Sequence, residues 1–127
     1  MSQRSIIIDC DPGKDDAIAL LLALAFPNEL QVIGITCVAG NVPVELTYLN
    51  ALRICELANR TDVPVCRGCT RPFLRLLVTA ESAHGKSGME GCGLPPSSYH
   101  GDCRHAVDFI IENYIAATDG EITLCAV

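Results

Sequence analysis

The chain has 127 residues, half of them hydrophobic and 19% charged, with 15 acidic against nine basic side chains and a net charge of −6. That is one domain's length of chain, residues 1–127, with enough apolar surface for a core, which excludes a disordered polypeptide. The Lys and Arg are scattered, so neither nucleic acid nor an anionic membrane is an expected partner.

The first element in chain order is a buried strand over Ser5–Asp9, rich in isoleucine. The apolar run there is too short for the core of a secretory leader, so none is expected. Asp15–Phe26 follows as a helix that is apolar nearly all round, and Pro27-Asn28 stops it. Its apolar run is too short to span a bilayer, so a soluble, cytoplasmic protein is expected. Leu30–Val38 is β-branched and reads as a second buried strand, and Ala39-Gly40-Asn41 as a turn. Pro43 suits the first turn of a helix running to about Asn59, with Leu46, Leu49, Leu52 (or Arg53) and Leu57 on its inward face.

Val63–Cys66 reads as a short third strand. Arg67–Arg104 then holds six glycines and three prolines without clean periodicity, the mark of a long functional or mobile loop. Ala106–Ala117 is an amphipathic helix with Val107, Ile110, Ile111 and Tyr114 inward, and Ile122–Val127 a fourth strand. Strands alternating with helices predict an α/β fold: an open, mainly parallel sheet with helices on both faces. A buried parallel strand needs neighbours and covering helices, so the chain is expected to be the front part of a longer protein, truncated after that fourth strand.

Eight cysteines would suit a disulfide framework in a secreted protein, but in a cytoplasmic one they stay reduced. Cys10, Cys37, Cys55 and Cys125 lie in apolar stretches and act as small hydrophobes. Cys66-Arg67-Gly68-Cys69 has neither a second CxxC nor a flanking His pair, so no zinc site is expected there.

The chemistry concentrates in Asp9-Cys10-Asp11-Pro12-Gly13-Lys14-Asp15-Asp16, four carboxylates in eight residues at the carboxyl end of the first strand. Open parallel sheets bind ligands at that end. Like charges so close oppose one another, and the helix dipole is too weak to hold all four. A hard divalent cation in an all-oxygen site, calcium or magnesium, is expected to offset the repulsion, in preference to acids that merely cap the helix and face solvent. An EF-hand beginning at Asp9 fails, because Lys14 and Leu20 stand where Gly and Glu are required. A P-loop around Gly85-Lys86-Ser87 fails as well, because Ala80 occupies the position of its first glycine.

The stretch Asp9–Leu20 resembles the DxDPGxDDAxAL signature of the nucleoside hydrolases, the inosine–uridine-preferring family. Val38-Ala39-Gly40-Asn41, His84-Gly85-Lys86-Ser87-Gly88-Met89 and Ile122–Val127 match further family segments in order, although Cys10 replaces the usual Thr. The resemblance covers essentially all of this chain but about two-fifths of a family member. It implies a Rossmann-like core and hydrolysis of the N-glycosidic bond of ribonucleosides to free base and ribose. It also implies Ca2+ as cofactor, held by the carboxylates of Asp11 and Asp16 and the backbone carbonyl of Val127. Asp11 would then be the catalytic base on a calcium-held water, with Asp15, Asn41 and His84 on the substrate and Asp9 orienting its neighbours. His100 and His105 have no such support and are expected at the surface or at a helix start.

The same resemblance implies a homodimer or homotetramer at full length, and places the leaving-group acid beyond Val127. The chain alone is therefore expected to be inactive or nearly so. Two alternatives stand beside this reading. One is a magnesium-dependent phosphatase with Asp9 as nucleophile and Asp11 as acid, against which Gly13 interrupts the DxDxT pattern. The other is a non-catalytic, truncated remnant.

Overall fold

The computed structural model describes residues 2–127. Isoleucine-rich β1 (Arg4–Cys10) leads through Asp11-Pro12-Gly13 into α1 (Lys14–Ala25), and β2 (Leu30–Cys37) leads into α2 (Val44–Leu57). Three-residue β3 (Val65–Arg67) opens the long loop, which holds only the single turn α3 (Glu81–His84) before α4 (Ala106–Ala116) and β4 (Ile122–Ala126). The strands form one parallel sheet in the order β3-β2-β1-β4. All four carboxyl ends therefore meet along one rim, as expected for an open α/β sheet.

Side-chain alternation along β1 divides the interior in two. Ile6, Ile8 and Cys10 face α1 and α2, where they join Leu20, Leu24, Val32, Ile35, Cys37, Ile54 and Val65 in the main core. Ile7 faces the other way and packs with Cys66, Ala106 and Phe109 beneath α4. The β1–β2 register shifts between Ile6 and Ile7, so that Ile6 pairs with Val32 and Ile7 with Gly34. Ile33 is the extra residue, a β-bulge.

The helix boundaries follow the sequence closely, but three buried faces do not. On α2 the inward stripe is Val44, Thr47, Asn50, Ala51, Leu52, Ile54 and Cys55, while Leu49 and Leu57 are exposed. Thr47 disguised that stripe, because its hydroxyl disappears into the core by donating to the carbonyl of Val38 at 2.8 Å. On α4 the buried residues are Ala106 and Phe109, while Val107, Ile111 and Tyr114 are each between 42% and 49% exposed. Apolar α1 is likewise buried along one side only, leaving Ile18 70% exposed. No helix among the described residues is long and apolar enough to cross a membrane. All eight cysteines are free, with Cys10, Cys37, Cys55 and Cys66 buried and Cys69 exposed.

Phe109 seats α4 on the sheet only because Gly34 has no side chain. A Cβ there would overlap the phenyl Cζ. Gly34→Val is expected to destabilise the chain by about 1–3 kcal/mol through overpacking. In a Phe109→Ala background that cost should fall towards zero, which urea unfolding of the four proteins in the cycle measures.

Candidate active site

The rim is assembled mainly by hydrogen bonds between side chains and main-chain groups at the β1–α1 turn. Asp11 leaves β1 directly above Gly40, where a Cβ would overlap the Asp11 carboxylate. The backbone N–H of Asn41 donates to Asp11 Oδ2 at 2.7 Å, and Asn41 Nδ2 donates back to the Asp11 carbonyl at 2.9 Å. Asn41 is the donor in both bonds, and together they fix the Asp11 side chain, with Oδ1 left over for another partner. It also explains why Gly and Asn follow β2: one admits the carboxylate and the other binds it.

Asp15 and Asp16 occupy the first turn of α1 and face different surroundings. Asp15 is on the solvent side. Asp16 is only 7% exposed, and its Oδ2 is buried without a hydrogen-bond partner. Burial first, and the neighbouring charges of Asp11 and Asp15 second, push its carboxyl from 3.8 up to about 6. An oxygen in that state lacks a positive partner.

Asp9 points to the opposite side of the sheet from Cys10. Its Oδ1 accepts the hydroxyl of fully buried Thr36 at 2.5 Å, and its backbone carbonyl accepts the N–H of Val127 at 3.0 Å. Val127 thus lies beside β1 at the same rim. The bond to Thr36 also occupies the carboxylate that a phosphatase would use as nucleophile.

His84 arrives from the long loop. Its Nδ1 accepts the N–H of Lys14 at 3.3 Å, which leaves the ring proton on Nε2, 4.0 Å from Asp15 Oδ1. The ring covers Gly13, where a Cβ would stand 2.6 Å from Nδ1. Asp9, Asp11, Asp15, Asp16, Asn41, His84 and Val127 therefore share one rim, although they span the whole sequence. Among the described residues, no three His, Cys, Asp or Glu side chains converge as a metal centre.

His100 and His105 are exposed. His105 accepts the N–H of Val107 at 3.2 Å as the cap of α4, and the carbonyl of His100 accepts the hydroxyl of Tyr48.

Residues unremarked in the sequence also build this rim. Asn50, in the middle of α2 and 1% exposed, donates through Nδ2 to the carbonyls of Pro12 at 3.1 Å and Ser87 at 2.8 Å. Thr36 holds Asp9, and the Cys69 carbonyl accepts the N–H of Ala39, so the CxxC segment braces the exit of β2. An asparagine inside an otherwise apolar helix was the available signal for Asn50, since it weakens a helix unless it has a partner.

The model of the inosine-uridine preferring nucleoside hydrolases matches residues 6–127. An uncharacterized protein of Schizosaccharomyces pombe is 52% identical over 122 residues, covering 96% of this chain and 39% of its own length. The pyrimidine-specific ribonucleoside hydrolase RihA of a Shewanella species is 46% identical over 121 residues, 95% of this chain and 37% of the relative. Among solved structures, a plant nucleoside hydrolase superposes with a TM-score of 0.88 at 36% identity, over 98% of this chain and 39% of that one. The chain thus spans about two-fifths of the length of these relatives. With the family model matching from β1 to Val127 and the sheet superposing on a solved member, this chain belongs to the inosine-uridine preferring nucleoside hydrolase family.

Proposed function

We propose that the rim supplies the sugar-side half of a ribonucleoside hydrolase, acting on the N-glycosidic bond to give free base and ribose. The observation that carries this reading is the desolvated, unpartnered carboxylate oxygen of Asp16 beside the Asn41-clamped Asp11. Family membership supports hydrolysis of ribonucleosides as the chemistry.

The residues fit a hard divalent cation, because a buried anionic oxygen without a donor is what such an ion satisfies. Asp11, Asp16 and the carbonyl of Val127 would hold Ca2+. When bound, the ion supplies positive charge for ribose hydroxyls and lowers the pKa of water.

Asp11 has one oxygen engaged by Asn41, so Oδ1 is free to take the proton of the attacking water. Asn41 has its amide nitrogen on the Asp11 carbonyl and keeps Oδ1 for a ribose hydroxyl. Asp15, exposed at the start of α1, accepts a second hydroxyl. Together these carboxylates stabilise the positive charge that develops on the sugar as the glycosidic bond stretches. The Nε2–H of His84 faces Asp15 and would contact the substrate from above. Asp9, bonded to Thr36, holds the end of β1 and Val127 in place. No residue described here stands ready to protonate the leaving base.

Fusing residues 1–127 to the remaining length of the Shewanella relative tests the whole reading. The chimera should release ribose from uridine or inosine, and Asp11→Asn should lower kcat by about 10²–10⁴-fold. A folded chimera that releases no ribose from any ribonucleoside would count against it.

The cation set on this chain is two carboxylates and one carbonyl, well short of calcium's usual six to eight oxygens. Isothermal titration of the 127-residue chain should therefore find only weak, roughly millimolar binding. Tight stoichiometric binding would overturn that expectation.

Asp16 also gives a signed pH dependence. Its folded-state value, about 6, lies above its ordinary 3.8, so metal-free stability falls as pH rises between the two and then levels off. Asp16→Asn should raise metal-free stability at pH 7.5 by about 1–3 kcal/mol and change it little at pH 4. Urea midpoints of both proteins at the two pH values provide the measurement.

A further inference from the structure

We propose that Asn50 is a positioning residue, which latches the His84–Glu90 loop onto the β1–α1 turn and thereby sets where His84 stands over the site. This rests on the function proposed above only for what His84 does there; the latch itself stands on geometry.

Asn50 lies on α2, apart from both segments that it joins. Its single amide nitrogen donates one hydrogen to the carbonyl of Pro12, inside the aspartate turn, and the other to the carbonyl of Ser87. Both donors of that nitrogen are therefore used, in a place closed to water. Without Asn50 these two carbonyls would lose the one side chain among the described residues that bonds to both, and a buried polar group without a partner is costly.

Neighbouring residues are matched to the latch. Gly88 has φ +79°, and a Cβ there would stand 3.0 Å from Asn50 Nδ2, 3.1 Å from Val42 Cγ2 and 3.3 Å from the Pro12 carbonyl. Only a glycine lets the loop approach this closely. Met89, next in sequence, is buried in the main core and pins the far side. The loop then closes on itself, since the N–H of Glu90 donates to the carbonyl of His84 at 3.2 Å and that of Gly88 to Gly85 at 3.1 Å. His84 is the end of this closed turn, and its Nδ1 meets the N–H of Lys14. Removing Asn50 thus frees the segment carrying His84 from the segment carrying Asp11, Asp15 and Asp16.

The test uses the full 127-residue chain and nuclear magnetic resonance. In the wild type, the His84 ring should show cross-relaxation with the Gly13 Hα protons, and the Lys14 amide should be protected from exchange. In Asn50→Ala, and separately in Gly88→Ala, that cross-relaxation should vanish and Lys14 should exchange about tenfold faster or more. Amides of Ile8 and Ile35 should keep their relative protection. Leu52→Ala serves as control: it removes a buried α2 side chain whose Cδ2 lies near Gly101, outside the His84–Glu90 segment, so it should weaken the core yet leave the His84–Gly13 signal intact. Survival of that signal in both Asn50→Ala and Gly88→Ala would overturn the proposal, as would its equal loss in Leu52→Ala. The chimera with the Shewanella relative separates the two readings. If the variants lose the signal while the folded wild-type chimera releases no ribose from any ribonucleoside, the latch stands and the hydrolase reading fails.

Discussion

Carboxylates packed together without a counter-charge are unstable neighbours, and this rim has accepted that instability at Asp16. Its side chain could have turned to water from the first turn of α1, as that of Asp15 does. Instead it is buried beside Asp11, with one oxygen unpartnered and its proton affinity raised. The rest of the rim limits how the strain can relax. Asn41 and Gly40 stop Asp11 from swinging away, and Thr36 ties down Asp9. A preorganised cluster of this kind meets an incoming cation or a developing positive charge without first having to rearrange.

The clamp is built from side chains bonded to main-chain groups. Backbone atoms of Asp11, Pro12, Lys14, Asn41 and Ser87 take part in the hydrogen bonds that bring β1, β2 and the long loop together. Each of these bonds needs both a particular side chain (Asp11, Asn41, Asn50 or His84) and a close approach of the backbone, and the glycines at 13, 40 and 88 sit where the segments touch. The parallel sheet makes this possible, because it delivers every strand exit to the same side.

The fold was legible in the sequence because its signals are local. Isoleucine and valine runs mark the strands, and proline and glycine mark the stops. The aspartate cluster was legible for the same reason, being contiguous from residue 9 to residue 16. What was hidden depends on contacts between distant segments. The inward face of α2 was misread because Thr47 and Asn50 are polar yet buried, each satisfied by a carbonyl supplied from elsewhere or one turn back. Leucines at 49 and 57 gave the opposite false signal, being apolar yet exposed. Phe109 was overlooked because its socket is a missing side chain on another strand. The unequal fates of Asp15 and Asp16 likewise depend on which way α1 is rotated against the sheet.

The bulge at Ile33 determines which residues of β2 look towards which side. Uninterrupted pairing beyond Ile6 and Val32 would set Ile35 opposite Asp9 and Thr36 opposite Cys10. The hydroxyl would then be lost among the aliphatic side chains under α1, and the carboxylate would meet isoleucine. One supernumerary residue, placed near the amino end of the strand, restores the phase for everything after it. A feature with no polar atom of its own to contribute thus decides whether the acid at the far end of β1 has a donor to bind.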